Sequence, residues 1–80
     1  MKLSVNQVDA LQILREEKTI EVGSPIVNGR TMNSLYAKHL IKCPRYANGE
    51  FWEMTDKGYE FLTEYQLYLV EKFKKRHNGL

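Results

Sequence analysis

The dipeptide Asn48-Gly49, set between two apolar-rich segments, constrains this chain more than any other feature. Both central positions of a tight two-residue hairpin turn need positive φ, which Asn and Gly tolerate best. Leu40-Ile41-Lys42-Cys43 before it and Phe51-Trp52-Glu53-Met54 after it carry the β-branched, aromatic and alternating residues of two half-buried strands. The expected hairpin spans 41–54 and turns at Asn48-Gly49, with Tyr46 opposite Phe51 and Arg45 opposite Trp52. Trp52 and Met54 then face the core beside Ile41 and Cys43. Tyr46 and Phe51 face outward, where they stabilise the hairpin across its strands or offer a partner a stacking surface. Arg45 comes within reach of the Trp52 ring, a cation–π contact worth about 0.5–1 kcal/mol at an exposed site.

The segments around the hairpin read as helices with one short strand. Ser4 is an N-cap, Gln7 completes a capping box, and Leu3 and Val8 are spaced for a hydrophobic staple. Val8, Leu11 and Leu14 continue an apolar stripe that predicts a helix over 5–17 with a purely structural role. Thr19-Ile20-Glu21-Val22 alternates and predicts a strand ended by Gly23. Ser24-Pro25 opens one helical turn at most, because Asn28-Gly29 follows so closely. Asn28 or Thr31 caps the next helix, over 30–39, which turns Met32, Leu35, Tyr36 and Leu40 to one side and Arg30, Asn33, Ser34, Ala37 and Lys38 to the other. Thr55 caps the last helix, over 56–77, with Asp56 complementing its positive end.

Eighty residues with little Gly or Pro predict one small domain over 1–80. The single cysteine excludes an internal disulfide and fits a reducing compartment. No apolar run approaches the ~20 residues needed to span a bilayer, and the start turns polar too early for a secretory signal, so a cytoplasmic location is expected. The formal charge of +2 is modest but unevenly distributed. Residues 28–49 hold Arg30, Lys38, Lys42 and Arg45 and no acid, residues 50–71 carry six acids against Lys57, and Lys72, Lys74, Lys75 and Arg76 follow. Such segregation produces an oriented field, although each run is also what a solvated face looks like.

The last helix is too apolar for one covering surface. Its first half can bury Leu62, Tyr65 and Leu69 on its own domain, and the remaining aromatic and aliphatic residues need a second cover. A homodimer supplies it, with Tyr65, Tyr68, Leu69 and Phe73 as the expected interface.

Met54-Thr55-Asp56-Lys57-Gly58-Tyr59-Glu60-Phe61-Leu62 resembles the Leu-Thr-x-x-Gly-x-x-x-Leu signature that closes the wing of many small winged helix-turn-helix domains, with Met54 in place of the usual Leu. Arg30-Thr31-Met32-Asn33-Ser34-Leu35 with Leu40-Ile41 is similar to the third helix of small prokaryotic and phage-type versions. The resemblance covers roughly residues 4–65 and implies an α+β winged helix that binds double-stranded DNA. In that family the third helix enters the major groove and the wing lies on the backbone or minor groove. One departure stands out, because Val22 and Arg30 leave no room between them for the full second helix.

Arg pairs bidentately with guanine and Asn with adenine, Ser suits several acceptors, and Lys usually meets phosphate. Arg30, Asn33 and Ser34 are therefore expected at base edges, and Lys38, Lys42, Arg45 and Lys57 at phosphates, in a small transcriptional regulator. The same residue types also populate ordinary solvated helix faces. The competing expectation is a protein-interaction module on the same framework, using the wing aromatics and the last helix. His39 and Cys43 lie four apart, but only His77 adds a potential ligand, short of the four a structural metal site needs. Cys43 lacks an acid–base partner, and no glycine-rich phosphate loop, carboxylate pair or Ser-His-Asp arrangement is present. Neither an enzyme nor a cofactor is expected.

Overall fold

The computed structural model describes residues 2–78, with side chains as far as Lys72. Helix α1, Val5–Glu17, opens on the expected capping box: Gln7 N–H donates to Ser4 Oγ at 3.2 Å, and Ser4 N–H donates to Gln7 Oε1 at 2.9 Å. Its buried face is Val8, Ala10, Leu11 and Leu14. Strand β1, Thr19–Glu21, buries Ile20 alone, and the following residues make turns and no helix before Asn28. Helix α2, Gly29–Ala37, starts where the Asn28 side chain accepts from Arg30 N–H at 2.8 Å and Thr31 N–H at 3.4 Å.

The end of α2 falls two residues short of the expected 39. His39 adopts φ 62°, its N–H donates to the Tyr36 carbonyl, and the Leu40 N–H reaches back to the Leu35 carbonyl. This is the Schellman arrangement, with a histidine in the left-handed position that glycine usually fills. Leu35 and Leu40, which the motif brings together, are fully buried.

Four short strands form the sheet: β1, β2 (Ile41–Lys42) and β3 (Arg45–Tyr46) each pair antiparallel with β4 (Gly49–Met54). The hairpin turn differs from the expected one. Tyr46 pairs with Gly49 and Arg45 with Glu50, so Ala47 and Asn48 are the two turn residues. The turn closes one residue earlier, and only Gly49 there has positive φ, at 128°, so the flexibility of Asn48 is not used. Each residue's partner moves by two, and a shift of two leaves every side chain on its original face. Trp52 and Met54 are accordingly buried, while the exposed Tyr46 and the half-buried Phe51 sit together on the other face with ring centroids 6.0 Å apart.

Helix α3, Asp56–Asn78, is the longest element. Thr55 joins it to the rest: its hydroxyl accepts from Gly58 N–H at 3.2 Å and donates to the His39 carbonyl at 2.7 Å, and its own N–H donates to the Leu40 carbonyl. Leu62 enters the core with Leu11, Leu14, Met32, Leu35, Leu40 and Ile41. Tyr65 and Phe61 pack at its edge, but Leu69, expected to be buried in its own domain, is exposed. The result is a small α+β fold of three helices and an antiparallel sheet. No helix among the described residues is long and apolar enough to cross a membrane.

Candidate nucleic-acid interface

Helix α2 is held from beneath by Met32 and Leu35, both fully buried. With those two fixed inward, Arg30, Asn33 and Ala37 align along the outer side at spacings of three and four, and all three are exposed. Among the described residues, no hydrogen bond or ion pair engages the side chains of Arg30 or Asn33. Ser34 is placed differently. It is half-buried, donates from Oγ to the Thr31 carbonyl at 2.7 Å and accepts from Gln7 Nε2 at 2.9 Å, so its hydroxyl ties α2 to α1. Helical spacing puts it one step round from the outer stripe, toward α1.

The expected phosphate contacts divide into two groups. Lys38 and Lys57 are brought together, because Lys57 Nζ donates to the Lys38 carbonyl at 3.2 Å across the α2–α3 junction. Lys57 thereby adds a positive charge at the C-terminal end of α2, where the helix dipole favours it. Lys42 and Arg45 are separated. They lie three apart on one arm of the hairpin and point to opposite faces. Each also has an acid partner: Lys42 Nζ lies 4.0 Å from Glu53, and Arg45 donates to Glu50 through Nη2 at 2.5 Å and Nε at 3.1 Å. The carboxylate raises the Arg45 guanidinium above its ordinary pKa by hydrogen bonding and by charge. Arg45 therefore lies along Glu50 and not over Trp52, whose ring meets the edge of Tyr36 at 6.0 Å and 64°.

These acid partners were not apparent from a turn at Asn48-Gly49, which sets Arg45 opposite Trp52. Closing the hairpin one residue earlier brings Arg45 directly across from Glu50 and Lys42 across from Glu53. On the outer face the Tyr46 hydroxyl donates to Glu53, which holds the phenol protonated above its usual range. Cys43 is half-buried, and burial first, then the nearby Glu50, raises its thiol above the ordinary value against a smaller opposing effect of Arg45. It is the less reactive thiol form that this surrounding favours. Tyr36, read from spacing as a core residue, is 52% exposed and borders the outer stripe of α2.

On α3, Tyr65 is half-buried, Tyr68 and Leu69 are exposed, and the Phe73 side chain lies outside the described residues. Compared with known protein families, curated proteins and solved structures, the chain matches none.

Proposed function

We propose that this chain is a sequence-specific double-stranded DNA-binding protein, a small transcriptional regulator on a winged-helix plan. Helix α2 reads the major groove and the β2–β4 hairpin rests on the backbone. The observation that carries this reading is the outer stripe of α2, where Arg30 and Asn33 stand exposed and, among the described residues, unengaged, on a helix whose opposite side is locked into the core. A groove 12 Å wide admits such a helix, and these two side chains are the ones suited to guanine and adenine edges. The order helix, strand, helix, hairpin, helix agrees with the plan, although turns replace a helix between β1 and α2. Lys38 and Lys57 supply phosphate contacts beside the stripe, and Ser34 positions α2 against α1.

The pairing of Lys42 and Arg45 with carboxylates favours a second reading, a protein-interaction module that presents Tyr46, Phe51 and the exposed part of α3. Salt separates the two. Anisotropy titrations of labelled duplexes should show affinity falling steeply as salt rises if lysines and arginines release counterions, whereas an apolar protein contact is nearly indifferent. Under the DNA reading, Arg30→Ala with Asn33→Ala should lower the ratio of preferred to random duplex by about tenfold or more, with a smaller loss on random duplex. An unchanged ratio would reject the assignment of α2 as the reading helix.

A further inference from the structure

Helix α3 outruns the body it packs on. Its inward line begins at the buried Gly58 and Leu62, passes the half-buried Tyr65 and reaches Leu69 at unbroken helical spacing, yet Leu69 is 42% exposed and Leu67, Tyr68 and Val70 more so. With the Gln66 amide oxygen turned toward Arg15, the guanidinium donates to it at 2.8 and 3.1 Å, and every residue from Leu67 to Lys72 is exposed. Alongside the inward line runs a groove of about 580 Å³ with Leu3, Phe61, Tyr65 and Tyr68 as its apolar wall, and Glu60, Glu64 and two lysines among its polar lining. An apolar strip this continuous needs a cover in water.

The charges on the same helix select the cover. Over 56–64 the sequence places Asp56, Glu60 and Glu64 against Lys57, and over 71–76 it places Glu71 against Lys72, Lys74, Lys75 and Arg76. Two such helices laid side by side in the same direction set acid against acid and base against base. Reversed, they set opposite charges together.

We propose that a second copy of this chain covers the strip, with the two α3 helices antiparallel about a two-fold axis near Tyr68. A two-fold interface uses the same patch on both copies, so each contact occurs twice. In this arrangement the partner's Lys72 faces Glu64, and Tyr65, Tyr68 and Leu69 form the shared apolar centre. Lys72 already leans inward, with Nζ 5.9 Å from the centre of its own Tyr68 ring. Within one copy Glu64 and Lys72 are eight residues apart, about 12 Å along the axis, too far to pair directly. The inference is independent of whether α2 meets DNA.

Sedimentation equilibrium of the full chain should give twice the 9.4 kDa monomer mass at high concentration. Leu69→Glu alters an exposed side chain, so circular dichroism should be unchanged while self-association weakens about tenfold or more. Glu64→Lys and Lys72→Glu should each weaken it roughly three- to tenfold, and both changes in one chain should restore it. A monomer at every concentration, or a dimer indifferent to Leu69→Glu, overturns the proposal. Failure of the double charge swap to restore association overturns the antiparallel orientation.

Discussion

A Cβ on Gly58 would overlap both the Leu40 carbonyl oxygen and the Met54 side chain, so the first turn of α3 lies against the α2–β2 junction without room for another carbon. Thr55 holds the same junction through its two hydroxyl hydrogen bonds, one to the Gly58 N–H and one to the His39 carbonyl. Together they give the Met54-Thr55-x-x-Gly58 motif a physical role: threonine caps the helix and glycine lets it approach. In an exposed helix interior, replacing Gly by Ala ordinarily stabilises by about 1 kcal/mol. Here the sign should reverse. Gly58→Ala is expected to cost roughly 1–3 kcal/mol, measured as a lower urea midpoint, because a packed core resists an inserted methyl. A midpoint at or above that of the parent would mean that α3 does not need this approach. The motif itself was legible in the sequence, but the atoms it must avoid lie 18 and 4 residues away, and only the folded chain brings them to Gly58.

Among the elements, α2 was legible in its start and in its buried Met32 and Leu35, and misjudged at Ser34, at Tyr36 and at its end. Asn28 is a strong N-cap whose side chain has only to reach the next few N–H groups, so local chemistry suffices. The end depends on His39 accepting a left-handed conformation, which no histidine advertises. The conformation persists because neighbours over-determine it: the Leu35–Leu40 closure from one side and the Thr55 hydroxyl on the His39 carbonyl from the other. His39→Gly should therefore raise stability by about 0.5–1 kcal/mol. It relieves a left-handed cost of roughly 1–2 kcal/mol and gives part of that back in unfolded-chain entropy. Thermal melts decide it, and a lowered midpoint would assign the imidazole a stabilising contact. The hairpin shows the same division. Its existence and its inward residues followed from alternation, whereas its turn lies one residue earlier, at Ala47-Asn48, with positive φ only at the Gly49 that follows.

For the molecule as a whole, 55 Å long against 23 and 20 Å across, the governing fact is how charge and apolar surface are shared out. Positive charge beside α2 is concentrated at Lys38 and Lys57, while the hairpin offsets its own cations with Glu50 and Glu53. Exposed ion pairs of this kind contribute little to stability, so removing one acid tests binding more than folding. If the hairpin rests on a DNA backbone, Glu50→Gln should tighten binding about two- to fivefold at low salt and steepen the log–log salt dependence by about one phosphate contact. Unchanged affinity would mean that Arg45 does not meet the backbone, leaving Lys42 as the hairpin's cation in the proposed interface beside α2 and the Lys38–Lys57 pair.

The sequence by itself determined what short-range physics controls: the capped starts of three helices, the core of their inward faces at Val8, Leu11, Leu14, Met32, Leu35 and Leu62, the alternation that buries Trp52 and Met54, and the excess of apolar side chains along α3. Tertiary structure decided what depends on atoms distant in the chain. It turned Ser34 to Gln7, placed acids beside Lys42 and Arg45, ended α2 at a left-handed histidine and left Leu69 beyond the reach of its own core. The reason is one of range. Caps and periodicity act over one or two helical turns, whereas which polar group finds a partner, and how far a helix runs past the body it packs on, is settled only when segments tens of residues apart meet.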